Sequence, residues 1–383
     1  MKFFTLALLS ATALSATAQI TGDGFYRAIN LYSNRYITVI DNRTDGVNYY
    51  TTQADVYALR SIRPFDERVV NDPGTVLYFK NKGTNSSGDP LYDLEAQGVD
   101  TYKLVSSHLA LTQNANGSYR AYGQQTVSGT LWTAYLSDTP TNQEDIACLT
   151  TGSSNAKNWN IVPVSAASDN YFGLKPTLNI GDKYYTTLFA DFAFEPYSSG
   201  IKVYYIDAWK DGAGKDYAEL KEITGRVPAN TPVIIECSSN QASDNRLELY
   251  YDQTAAPSDN LLRGVYFENI TVYDVGVNSG HQNALAYDAS TMRVLGKVNG
   301  ELGFVTSSKL SYVPANSAYL LVPADTDAKV LCLPADQYAT AISSLQAEAP
   351  ASPSAIFNLM GQQVSNTDVP GIYVINGKKV VVR

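Results

Sequence analysis

The chain has 383 residues, with 28 Lys and Arg against 37 Asp and Glu and a formal charge of −9. So acidic a chain lacks the basic footprint of a nucleic-acid binder, and no basic amphipathic stretch suits an anionic membrane surface. Hydrophobic residues make up 44%, which excludes global disorder, and 28 tyrosines with only 17% charged residues suit half-buried sheet faces and turns.

The first elements predict export. Lys2 supplies a positive start, Phe3 to Leu14 an apolar run, and Ala16-Thr17-Ala18 small residues at a cleavage point before Gln19. Residues 1–18 are therefore read as a signal peptide. The apolar run is too short to span hydrocarbon and no second one follows, so no transmembrane segment is expected. About 365 residues remain, a length that suits two or three domains.

Beyond Gln19, short alternating runs bounded by Gly, Asn, Asp and Pro predict strands almost everywhere. In residues 19–165 these begin with Gly24 to Asn30 and Arg35 to Ile40 and end with Asn158 to Val164. Thr51 to Ile62, with Ala54, Val56, Leu59 and Ile62, is the one stretch whose spacing fits a short helix. A weak recurrence, Tyr26-Arg27-Ala28, Leu77-Tyr78-Phe79 and Tyr119-Arg120-Ala121, starts three units roughly 40–50 residues apart, enough to build one closed barrel. Each start is followed by a second run: Arg35 to Val39, Leu91 to Leu94, and Leu131 to Ala134.

Residues 166–335 carry a clearer duplication. Val227-Pro228-Ala229-Asn230 precedes Thr231 to Ile235, and Val313-Pro314-Ala315-Asn316 precedes Ser317 to Leu321. Pro lacks an amide donor and Asn tolerates unusual φ, so both copies predict a turn that feeds a buried strand. Residues 336–353 are read as a linker, since Ser343 to Pro353 is rich in Ala, Pro and Ser. Residues 354–383 return to strand patterning, with Asn376-Gly377 between two β runs as a hairpin signal.

The tail motifs Phe357 to Val364, Pro370-Gly371-Ile372-Tyr373-Val374 and Lys378 to Arg383 resemble the C-terminal segments of secreted Bacteroidetes proteins. That resemblance implies a sorting module for outer-membrane export and surface attachment. Tyr184 to Asp191, the Val-Pro-Ala-Asn copy at 227–230, and Leu295-Gly296 followed by Gly303-Phe304 resemble an accessory module of the same organisms' secreted proteins, which implies a β-sandwich. The first region is more weakly similar to ricin-type β-trefoil lectins. Their Gln-x-Trp place reads Lys157-Asn158-Trp159 here, and the position of their sugar-binding Asp falls at Thr38, at Asp93 and at Trp132-Thr133 in the three units. The expected fold is thus mainly β: a β-trefoil-like barrel, β-sandwich modules and a short β tail.

Catalytic chemistry is sparse. His108 and His281 are the only histidines, and neither has the spacing of a zinc site. Cys148 lies in an apolar run without a nucleophile turn. Gly212-Ala213-Gly214-Lys215 lacks the lead and the following hydroxyl of a P-loop, and Asp41 to Gly46 lacks the closing Glu of a Ca²⁺ loop. Cys237 and Cys332 occupy apolar runs, either as a disulfide or as buried thiols. Asp93, Glu95, Asp191 and Glu195 are the carboxylates a glycosidase would draw on. Among the aromatics, Trp159 reads as core, whereas Trp132 between threonines is a candidate platform, and Trp209 is the third tryptophan. The expectation is a non-enzymatic secreted or cell-surface binding protein with no cofactor. Asp93 and Trp132 contact its ligand, its partners are glycans or surface proteins, and export machinery reads both ends. The alternatives are a glycosidase and a structural, adhesive surface component.

Overall fold

In a computed structural model of the chain the described residues are 20, 22–40, 58–62, 67–97, 108–138, 148–150, 155–212, 215–252, 254–266, 285–324, 326–334, 356–358, 363–364, 371–375 and 378–382. The leader, its cleavage point, the 41–46 loop, His281 and the 336–353 linker lie outside them. The chain divides into two compact units, Met1–Cys332 and Leu333–Arg383.

The first unit opens with β1 (Gly24–Asn30), β2 (Tyr36–Ile40), β3 (Ala58–Ile62), one helical turn α1 (Glu67–Val70), β4 (Leu77–Thr84), β5 (Pro90–Glu95), β6 (Leu109–Gln113), β7 (Tyr119–Val127), β8 (Thr130–Ser137), β9 (Cys148–Thr150) and β10 (Asn158–Pro163). Antiparallel pairing runs β1–β4–β5–β6–β7–β10 and returns to β1, closing a six-stranded barrel. The period-2 alternation explains its filling. Leu77 and Phe79, Tyr92 and Leu94, Leu109 and Leu111 all turn inward, with Trp159 at the centre. Trp159 is fully buried and donates its indole N–H to Leu136 O at 3.0 Å. Its expected core role holds.

Two expectations change here. The described part of the stretch read as a helix, Ala58–Ile62, is strand β3, paired with β2 from Tyr36↔Ile62 to Ile40↔Ala58. Cross-strand pairing overrides a local 3.6-residue pattern that contained two β-branched residues, Val56 and Ile62. The three second runs are also not equivalent. β2 and β8 carry hairpin partners β3 and β9 outside the barrel circuit, whereas β5 is a barrel stave. Leu77–Phe79 lies on a stave that pairs with both β1 and β5.

The chain continues through β11 (Phe172–Gly173), β12 (Leu178–Ile180), β13 (Lys183–Leu188), β14 (Ala193–Pro196), β15 (Lys202–Gly212), β16 (Lys215–Ile223), β17 (Val233–Cys237), β18 (Arg246–Tyr250), β19 (Leu262–Val265), β20 (Met292–Val298), β21 (Glu301–Val305), β22 (Ser317–Leu321) and β23 (Lys329–Pro334). Ten of these form one sheet in the order β12-β13-β17-β15-β16-β23-β21-β20-β22-β19, and β11-β18-β14 form a small second sheet. The large sheet curls until β13 nears β22 and β12 nears β20. Alternation along β17 splits the core. Ile234 faces the interior of the curl with Phe304, Leu320 and Val330, while Val233, Ile235 and Cys237 face the small sheet's Phe172, Phe194 and Leu247. Cys237 and Cys332 are free, buried thiols in different clusters, which settles the disulfide alternative against a bridge.

Both Val-Pro-Ala-Asn copies do what their chemistry requires. Asn230 (φ 59°) and Asn316 (φ 50°) take the left-handed conformation immediately before the runs into β17 and β22. The Leu295-Gly296 and Gly303-Phe304 motifs form registered pairs, Gly296↔Gly303 and Leu295↔Phe304. A Cβ on Gly296 would lie 2.5 Å from a Val305 methyl, and one on Gly303 would lie 2.4 Å from Val330 O.

Barrel and curled sheet are clamped together. Fully buried Arg27 donates to Thr75 Oγ1 (2.9 Å), Asn170 Oδ1 (2.9 Å) and Tyr171 O (2.8 Å). Burial lowers its pKa to about 10, although Asp72 opposes that shift. Gln97 and Asn316 exchange amide hydrogen bonds of 3.0 and 2.8 Å, and Tyr78 stacks on Tyr251 with ring centroids 4.1 Å apart.

The second unit is a four-stranded antiparallel sheet of β24 (Ile356–Asn358), β25 (Gln363–Val364), β26 (Gly371–Ile375) and β27 (Lys378–Val382), ordered β25-β24-β26-β27. Ile375 pairs with Lys378, so the expected hairpin register is present, with Asn376 and Gly377 outside the described residues.

Candidate functional site

Two places in the first unit gather polar chemistry: a flank of the barrel and a cleft beside the curled sheet. On the flank, inward Leu77, Phe79, Tyr92 and Leu94 leave Tyr78 and Lys80 of β4, and Asp93 and Glu95 of β5, on the outer face. They are registered as Tyr78↔Glu95 and Lys80↔Asp93. Asp93 is 7% exposed because two cationic or polar side chains cover it. His108 Nδ1 stands 2.5 Å from its Oδ1 and Lys82 Nζ 3.5 Å from its Oδ2. One register pair away, Lys80 Nζ donates to Glu95 Oε1 at 3.1 Å. Tyr251 ends this strip, 45% exposed and stacked on Tyr78. Burial first, and then Asp23, raises the Tyr78 hydroxyl above its usual range, so it stays protonated as a donor.

Trp132 lies three strands along from Asp93, on β8 outside the barrel circuit and opposite Gln125, and its side chain is outside the described set, as is that of Trp209. Thr38, Asp93 and Thr133 occupy different kinds of strand: the first and last are in hairpins, and Asp93 is in the barrel wall. The remaining carboxylates named from the sequence are placed apart. Glu195 meets Arg226 Nε at 3.1 Å, and that guanidinium also reaches Asp252 and lies 3.8 Å over the Tyr250 ring. Asp191 follows β13, near buried Tyr266, whose hydroxyl is raised by burial first and by this carboxylate second.

The cleft has a volume of about 490 Å³. Its barrel side is Arg68, Asn71, Asp72 and Pro73. Its sheet side is Thr177 and Leu178, Tyr185 to Leu188, Val294 and Leu295, and Leu310, with Pro314 to Ala318 at one end. Asp72 accepts from Thr38 Oγ1 and from Gly74 N, both at 2.8 Å. Burial raises its pKa, and those two hydrogen bonds oppose the shift. Among the described residues it is the one carboxylate on the cleft wall. Tyr185 donates its hydroxyl to Glu236 Oε2 at 3.0 Å just beyond. Among the described residues no group of three or more His, Cys, Asp and Glu is placed to hold a metal ion, and no helix is long and apolar enough to cross a membrane.

No family model, curated protein or solved structure matches the chain. The site therefore rests on its own geometry. Sequence reasoning picked out Asp93 and missed its partners. His108 and Lys82 lie 15 and 11 positions away, and only the β4–β5–β6 pairing joins them. The cleft was also missed, although its Pro314-Ala315-Asn316 wall was singled out as turn chemistry.

Proposed function

We propose that this chain is a non-enzymatic binding protein of the cell exterior, and that the barrel flank around Asp93 contacts a glycan. The observation that carries this reading is the Asp93–His108–Lys82 group beside exposed Tyr251. A held carboxylate and two partly exposed donors can bond hydroxyls, while an aromatic ring offers an apolar face to a sugar.

A trefoil-like fold for residues 19–165 fits the six staves with hairpin strands β2–β3 and β8–β9 inserted between them. A sandwich-like module fits the small sheet packed over one face of the curled sheet. Secretion follows from the leader, and the tail sheet is read as the sorting module. The glycosidase alternative is disfavoured by the settings of its carboxylates. A general acid keeps its proton in an apolar site, whereas Asp93, Glu95 and Glu195 each touch a cation, and among the described residues the cleft wall carries one carboxylate where hydrolysis needs two.

The test is a glycan array probed with the full secreted chain, alongside Asp93→Asn and Tyr251→Ala. We expect selective binding weakened at least tenfold in both variants, with no reducing ends released. Silence of the folded chain across the array overturns the glycan reading, and sugar release overturns the non-enzymatic one.

A further inference from the structure

The cleft contains an interrupted strand edge. β13 pairs with β17 from Tyr184 to Leu188, but with β12 only from Lys183 to Tyr185. Continuing the β12 register would set Pro176 opposite Thr187. Proline has no N–H to give, and the pairing stops at Leu178.

Which way the Thr187 main chain points follows from two independent observations. The two-residue turn that closes at Ile180↔Lys183 makes odd-numbered β13 residues the ones bonded to β12. Two residues beyond Thr187, Phe189 donates its N–H to Asn316 O at 2.9 Å, on the side away from β17. Thr187 has the same parity, so its N–H and C=O face the open cleft between Leu178 and Asn316. The slot is closed at one end by β12. At the other it ends on the Pro314–Asn316 turn, fixed by the left-handed Asn316.

The Thr187 carbonyl accepts a 3.3 Å bond from the neighbouring Thr186 hydroxyl, which leaves it a second lone pair, so the strand still offers an N–H and a C=O that match the main chain of another extended strand. The open stretch, Thr186 to Leu188, spans about 10 Å at 3.3 Å per residue, and Val294 and Leu295 supply apolar surface on the wall. We propose that this cleft is a binding site for an extended peptide segment of about three residues, which completes the β13 edge by exchanging main-chain hydrogen bonds with Thr187. The site is separate from the Asp93 flank and does not depend on it. A three-residue seat favours small β-branched side chains next to Val294 and Leu295, with Arg68, Asn71 and Asp72 on the facing wall.

The experiment uses the full chain and a capped tetrapeptide alternating valine and threonine, with a second peptide N-methylated at the central amide. Binding is followed by calorimetry, and the Thr187 amide resonance by NMR. The expected result is saturable binding that shifts the Thr187 amide, at least tenfold weaker for the N-methylated peptide. Thr177→Trp, an exposed substitution at the slot's end, should abolish binding without lowering the melting temperature. Equal affinity of the methylated peptide, an unmoved Thr187 amide, or no binding by the tetrapeptide overturns the proposal. So does a glycan whose binding Thr177→Trp removes, because the cleft would then be a sugar site.

Discussion

Replacing Asn316 by Ala is the sharpest test of how the first unit is held together. The substitution removes the reciprocal amide pair with Gln97 and a 3.1 Å bond from Asn316 Nδ2 to Phe189 O. Gln97, 2% exposed, then keeps a desolvated amide without this partner, at a cost of about 1–3 kcal/mol. Alanine at φ 50° adds about 1–2 kcal/mol of left-handed strain. The expected loss is therefore about 2–5 kcal/mol.

The duplicated motif supplies an internal control. Asn230 has nearly the same φ, 59°, but is exposed, and water can replace its side-chain bond from the Tyr266 hydroxyl. Asn230→Ala should thus cost mainly the strain, about 1–2 kcal/mol. Glycine removes the strain at both sites, so Asn316→Gly should retain the amide loss while Asn230→Gly should be close to neutral. Urea midpoints of the four variants measure all of this. If Asn230→Ala costs as much as Asn316→Ala, or Asn316→Gly is neutral, the Gln97 clamp is not what stabilises the junction.

Three further outcomes rest on individual side chains. Cys237 is buried and its pKa is pushed up to about 12, so native protein at pH 8 should label at Cys237 and Cys332 only after denaturation, as read by peptide mapping. Gly264→Ala would set a Cβ 2.1 Å from the Phe189 ring, which is itself packed on Tyr266, and overpacking should cost about 1–3 kcal/mol in thermal unfolding. Asp72 holds its proton more tightly in the folded state than unfolded. Its stabilising contribution is full below its ordinary value of 3.8 and is lost as pH rises through the raised folded value. Wild type should therefore lose stability relative to Asp72→Asn as pH rises above the ordinary carboxylate value of 3.8, and urea midpoints of the two proteins that stay parallel over that rise would refute this sign.

The strands were legible wherever alternation met turn chemistry. Gly24–Asn30, Tyr36–Ile40 and the two Val-Pro-Ala-Asn turns are examples, because those signals are local. What escaped depends on which strand lies beside which. Ala58–Ile62 is a strand only because β2 offers it an edge, and Leu77–Phe79 is equivalent to neither Tyr26–Ala28 nor Tyr119–Ala121 once the barrel closes. Asp93 was visible as a carboxylate on an alternating run. Its partners were not, since β4 and β6 reach it from either side. The open edge at Thr187 is also non-local: Pro176 is plainly a breaker in the sequence, but the residue it leaves unpaired is known only from the β12–β13 register.

Residues 19–165, which the sequence marks as a domain of their own, are tied by side-chain contacts to the segment after the barrel. Arg27 sits on barrel strand β1, yet two of its three hydrogen bonds go to Asn170 and Tyr171, beyond Pro163 where the barrel ends. In the intact chain Arg27→Met leaves Thr75, Asn170 and the Tyr171 carbonyl without this donor, and a loss of about 1–3 kcal/mol is expected for leaving buried acceptors unsatisfied. In an isolated 19–165 fragment the guanidinium faces water, so the same substitution should change stability by less than about 1 kcal/mol. Melting the four species closes a double-mutant cycle whose coupling measures the junction directly. Equal losses in fragment and full chain would mean that Arg27 acts within the barrel alone. A large coupling would mean that glycan binding at Asp93 should be assayed only on the joined unit, where Tyr251 from beyond β18 completes the flank.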